Sequence, residues 1–121
     1  MATESERSDA IGGWLSDDDR AEFREYACKI GISGAALATV IWTRELYQRR
    51  LGDLKVRFET TTGGKGGRIT ARPSRAGFRE DFAAHAESFG LSPDAAASLV
   101  LRDELETRWL GTQLGLYGES T

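Results

Sequence analysis

Cysteine is almost missing from these 121 residues. Cys28 stands alone, which excludes an internal disulfide framework and any zinc site built on thiolates. Histidine is as scarce: His85 is the only imidazole, so no histidine pair exists for a metal, and the expectation is a packed or boundary residue. No apolar run approaches the roughly 18 residues that span a bilayer. The first ten residues, MATESERSDA, are acidic and polar where a signal peptide would be basic and then apolar, so the expected location is cytoplasmic, with no membrane partner. No nucleophile, base and orienting group can be assembled, and neither enzyme activity nor a cofactor is expected. The run Gly63-Gly64-Lys65-Gly66-Gly67 lacks the spacing and the Lys-Ser/Thr ending of a nucleotide-binding loop and reads as a flexible linker. Asp17-Asp18-Asp19 reads as a helix cap and dipole complement, not as a metal site.

Positive charge is scarce on average and concentrated in one place. The net charge is -3, yet Arg49 to Arg79 holds nine basic residues against Asp53 and Glu59, which leaves the rest of the chain strongly acidic. Such a segment is either a solvated face or an anion-binding one.

What the chain does have is an internal echo. Residues 19–52 align without a gap on residues 78–111 at an offset of 59, and 12 of the 34 pairs are identical. Among them are Phe23/Phe82, Gly31/Gly90, Ser33/Ser92, Glu45/Glu104, Leu51/Leu110 and Gly52/Gly111. Each copy reads as two amphipathic helices. In the first, Phe23, Tyr26, Ala27 and Ile30 share a face, Gly31 stops the helix and Ser33 caps the next. That second helix turns Leu37, Val40 and Ile41 inward, runs on through Leu46 and Leu51, and is expected to end at Gly52. In the second copy Phe82, Ala86 and Phe89 line the first helix. Gly90 ends it, Ser92 caps, Pro93 takes the first helical position, and Ala96, Leu99, Val100, Leu105 and Trp109 face inward. Four such helices should share one core, with Trp14, Trp42 and Trp109 in core or rim packing.

The basic segment ahead of the second copy has the period of a strand. Arg68, Thr70 and Arg72 alternate with Ile69 and Ala71, a cationic comb over an apolar face. Its partner is open at this point. Residues 9–15, AIGGWL within them, occupy the matching place but carry two glycines; residues 54–60 also alternate and could form a hairpin with 67–73.

The stretch RITARP, followed by FREDFAAHAESF and GLSPDAAASLVLRDELETRWL, resembles the ribbon-helix-helix (MetJ/Arc-like) family. The duplication is similar to its single-chain tandem members associated with conjugation, the TraY-like proteins and the Agrobacterium VirC-operon enhancer of T-DNA transfer. The expected fold is mainly α with a short two-stranded antiparallel ribbon, a monomer acting as a pseudo-dimer. The expected boundaries are a tail at 1–8, one domain at 9–111 (first copy 9–52, linker 53–66, second copy 67–111) and a tail at 112–121.

The resemblance implies double-stranded DNA as partner, with Arg68, Thr70 and Arg72 reading bases from the major groove and Ser33, Gly34 and Ser92 at phosphate-facing helix starts. Lys55, Arg57, Lys65 and Arg75 would add phosphate contacts. It further implies a role in conjugative or T-DNA transfer, hence in virulence or plasmid biology, or in transcriptional regulation, with relaxosome proteins and a ParA-like ATPase as partners. The competing class is a protein-interaction module without DNA binding, either antitoxin-like or a helical adaptor.

Overall fold

Ser16 and Gly31 set the ends of the first helix. In the computed structural model, which describes residues 10–57, 67–73 and 75–115, helix α1 spans Asp17–Ile30. The Ser16 hydroxyl accepts from the Asp19 amide at 3.1 Å, and Asp17, Asp18 and Asp19 place negative charge on the first turn, where the helix dipole favours it. Gly31 closes the helix at φ 99°, a left-handed conformation that glycine takes without a Cβ clash. Helix α2 (Gly34–Gln48) is capped by Ser33, whose Oγ accepts from Ala36 N at 3.0 Å. In the second half α4 spans Phe78–Glu87. Then α5 (Pro93–Thr107) begins under a Ser92 cap that accepts from Ala95 N at 3.1 Å, with Pro93 in its first turn.

Neither long helix runs on as expected. α2 stops at Gln48 and α5 at Thr107, and the next residues, Arg49 and Arg108, are both left-handed at φ 52° and 51°. Short helices then follow, α3 over Leu51–Arg57 and α6 over Trp109–Gln113. The cause is a buried carboxylate. Glu45 Oε2 accepts from Leu51 N at 2.8 Å, and Glu104 Oε2 accepts from Leu110 N at 2.8 Å, so each glutamate satisfies an amide that the break would otherwise orphan.

Strands β1 (Ile11–Leu15) and β2 (Gly67–Ala71) pair antiparallel, with Ile11 opposite Ala71, Gly13 opposite Ile69 and Leu15 opposite Gly67. The partner of the basic strand is therefore the glycine-bearing segment; residues 51–57 are helical, and residues 58–60 of the alternative hairpin lie outside the described residues. The glycines are there for room. A Cβ on Gly13 would stand 2.8 Å from Leu101 Cδ1 and 3.0 Å from the backbone of Ala97 and Ser98, so the strand rests directly on α5. Trp14 N fastens it there by donating to Ser98 Oγ at 2.7 Å. The strand centres, Gly13 and Ile69, stand 56 residues apart against 59 for the helices. The three-residue difference falls between Ala71 and Phe78, upstream of the aligned stretch.

Ile11, Leu15, Ile69 and Ala71 send their side chains into a single apolar cluster with Phe23, Leu37, Ile41, Trp42, Phe82, Leu99 and Leu101. The expected inward face of α2 needs one correction. Val40 is 39% exposed, whereas Leu99, its counterpart 59 residues on, is 1% exposed. Val40→Lys is accordingly expected to move stability by no more than about 0.5 kcal/mol, as a thermal melt would measure.

Several contacts between the halves recur at the offset of 59. Tyr26 OH donates to Glu104 Oε2 at 2.5 Å, and His85 Nε2 lies 2.8 Å from Glu45 Oε2, both wholly buried. Burial holds the Glu104 carboxyl above its ordinary pKa, against the opposing bonds from Tyr26 and Leu110 N. A third contact keeps its place and changes its chemistry: Arg44 stacks 4.0 Å from the Trp109 ring, while the corresponding Asp103 and Arg50 form an ion pair at 2.8 Å. Burial, reinforced by the nearby Arg50 charge, lowers the Arg44 pKa. Among the described residues no single helix is long and apolar enough to cross a membrane.

Candidate nucleic-acid interface

Alternation along the ribbon gives it two faces. With Ile69 and Ala71 turned to the core, Arg68 and Thr70 point outward and are exposed, and Arg72 stands exposed just beyond the strand end. On β1 the outward positions are Gly12 and Trp14, paired across the ribbon with Thr70 and Arg68. The two strands therefore present unlike surfaces, an arginine and a threonine on one and a glycine and an indole on the other. Trp14 is half-buried and lies on this outward face, 5.9 Å from the Arg68 guanidinium, not in the core or at its rim as expected.

Arg68 lies across Gly12: a Cβ there would come within 2.3 Å of its Nε. The guanidinium then meets Asp94 Oδ1 at 3.1 Å. Both side chains are nearly half exposed, a setting in which ion pairs contribute about 0–1 kcal/mol, so a phosphate or base edge can displace Asp94 at little cost. Arg72 makes no side-chain bond or ion pair among the described residues.

The start of α2 sits against this face. Gly34, Ala35 and Arg24 share a shallow surface hollow of about 220 Å³ with Arg68, Ile69 and Thr70. The first turn of α2 carries no acid, so its amides, beyond the one that the Ser33 side chain engages, and its dipole are available to an anion. The start of α5 is less suited to one. Ser92 caps it, but Pro93 has no N–H and Asp94 places a carboxylate on the same turn. Of the expected phosphate contacts, then, Ser33 and Gly34 have the more favourable setting and Ser92 the less.

The remaining expected cations are dispersed. Lys55 Nζ donates to Phe89 O at 2.7 Å, beside the Gly90 turn that leads into Ser92. Arg75 is drawn to α4, where it pairs with Asp81 Oδ2 at 2.5 Å and lies 5.5 Å from the Phe78 ring. Arg57 is the last residue of α3, and Lys65 lies outside the described residues. The structure thus gathers Arg68, Thr70, Arg72, Ser33 and Gly34 around one ribbon and sets Arg75 apart from them. Trp14, Arg24 and Asp94 belong to this surface and were not expected there. The odd-even alternation of β1 could have found Trp14, since it opposes Ile11 and Leu15; nothing local marks Arg24 or Asp94.

Cys28 is exposed and has no disulfide partner, and no group of three or more metal-ligating side chains occurs among the described residues. No protein-family model, curated protein or solved structure matches the chain.

Proposed function

We propose that this chain is a DNA-binding protein of tandem ribbon-helix-helix type, which lays the outward face of its ribbon in the major groove. The carrying observation is the exposed row Arg68, Thr70 and Arg72 on a two-stranded ribbon whose other face is sealed into the core, beside the acid-free start of α2. A two-stranded ribbon fits the roughly 12 Å width of the groove, and arginine can bond a guanine edge bidentately. Phosphates would be held at Gly34 and by Arg24 and Arg72, a salt-dependent contribution that carries affinity and not sequence. The tandem reading is supported by the contacts that recur at one offset, above all the Glu45 and Glu104 carboxylates under Leu51 and Leu110.

Because Gly12 and Trp14 stand where the second comb would be, the preferred site is asymmetric, with the arginine and threonine contacts confined to one side. In the cell this suits an accessory factor for conjugative or T-DNA transfer, working with relaxosome proteins and a ParA-like ATPase, or a transcriptional regulator.

The test is a salt titration of binding to mixed-sequence duplex DNA, comparing the parent with an Arg68→Ala/Arg72→Ala double variant. The parent is expected to lose affinity steeply as salt rises, and the double variant to bind roughly tenfold or more weakly with an unchanged circular dichroism spectrum. No binding by the parent even at low salt would overturn the proposal and leave the helical core as a protein-interaction module.

A further inference from the structure

The C-terminal half of α2 and the middle of α4 line a groove of about 400 Å³, with Thr43, Leu46, Arg49, Asp81, Ala84 and His85 among its residues. This lies in the size range of small-molecule sites. The duplication supplies an internal comparison. The counterparts of these residues, 59 positions away, include Arg102, Leu105 and Glu22, which line a smaller hollow of about 250 Å³.

There the counterpart of Arg49 has folded inward. Arg108 lies 4.5 Å from the Tyr26 ring, donates from Nε to Leu105 O at 3.0 Å and pairs with Glu22. Arg49 has the same left-handed backbone, yet its guanidinium makes no hydrogen bond or ion pair among the described residues. Its natural acid, Asp81 in the place of Glu22, is already engaged by Arg75. The larger groove is therefore the form of this hollow that its own arginine has not closed.

His85, which lines the groove, carries a second unmet group. His85 is 1% exposed, and its Nε2 faces Glu45 Oε2, which also accepts from Leu51 N. The Glu45 contact takes Nε2, which leaves Nδ1 as the ring's remaining hydrogen-bonding atom, and a hydroxyl can serve it whether or not it carries a proton. That Nδ1 is buried and has no partner. Buried polar atoms are nearly always paired, and one that is not calls for a partner.

We propose that this groove binds a small organic monoanion that also carries a hydroxyl: the carboxylate on Arg49, the hydroxyl toward His85 and an apolar tail along Leu46 and Ala84. Charge supports one negative charge and not two, because the lining holds Arg49 and Arg75 against Asp81, one positive charge in excess. The site is independent of DNA binding.

The test uses three matched probes on the isotope-labelled full chain without DNA, followed by NMR: 2-hydroxy-4-methylpentanoate, 4-methylpentanoate, which lacks the hydroxyl, and 4-methyl-1-pentanol, which lacks the acid. The hydroxy acid should bind saturably, with shifts centred on Thr43, Leu46, Ala84 and His85, and the other two should bind more weakly. Arg49→Gly is the informative variant, since glycine accepts the left-handed backbone while the side chain and its charge are removed. It should weaken the hydroxy acid about tenfold or more, while Lys29→Ala on exposed α1 leaves it unchanged. Absence of saturable shifts in the parent, equal binding of all three probes, or equal binding by Arg49→Gly overturns the proposal.

Discussion

Glu104→Ala is expected to cost about 2–5 kcal/mol of stability, read from urea unfolding, because it strands the buried Tyr26 hydroxyl and the partly buried Leu110 amide at once. Glu104 Oε2 accepts from Tyr26 OH at 2.5 Å and from Leu110 N at 2.8 Å, and Tyr26 OH in turn accepts from Gly111 N at 2.9 Å. The alanine variant leaves this chain without its terminal acceptor. Glu104→Gln keeps an acceptor and is the discriminating control.

The two variants also separate hydrogen bonding from charge. Burial raises the Glu104 pKa above 4.5, so the folded state holds its proton more tightly than the unfolded chain does. The stability linked to that proton is complete below about pH 4.5 and is lost as pH rises through the folded value. Glutamine stays neutral throughout. Glu104→Gln should therefore gain on the parent between pH 4 and 7, and a constant difference across that range would show that desolvation of the carboxylate is not what limits this contact.

Gly13→Val is expected to destabilise by about 3 kcal/mol or more, or to prevent folding. The added Cβ would press on the backbone of Ala97 and Ser98 at 3.0 Å, and helix backbone cannot step aside. The neighbouring change provides the contrast. Gly12→Val meets only the Arg68 side chain, which can swing into solvent, so its stability should stay within about 1 kcal/mol of the parent. Thermal melts of the pair would test whether the strand is held by its inward contact with α5; similar losses for both would refute that.

These two glycines also show where the sequence was legible and where it was not. Helix starts at Ser33 and Ser92 and the stop at Gly31 follow from local rules of capping and backbone freedom, and all three stand where those rules put them. The pairing of AIGGWL could not be read from strand propensity, because Gly12 and Gly13 are selected by what lies across from them, an arginine on one face and a helix backbone on the other. Val40 and Leu99 occupy matching places in a repeated pattern, yet only one is covered, since periodicity names a face and not its neighbours.

The helix breaks at Arg49 and Arg108 were hidden because arginine is a good helix former. Their cause is a glutamate four residues earlier that turns inward to hold an amide beyond the break. Of the candidate interface, the alternation of Arg68, Thr70 and Arg72 was plain in the sequence. The Arg68–Asp94 pair was not, since it joins residues 26 apart through the tertiary fold.

The strand that lies on α5 has a consequence for how the chain comes off the ribosome. Trp14 is translated early and its hydrogen-bond partner Ser98 lies 84 residues later. At roughly 5–20 residues per second, β1 waits about 4–17 s for the surface it needs. During that interval Ile11, Leu15, Phe23 and Trp42 have been made and their covering has not, so the nascent first half depends on temporary shelter. Synonymous codons that slow synthesis between residues 58 and 93 would lengthen the exposure and lower the yield of soluble protein without altering the finished molecule.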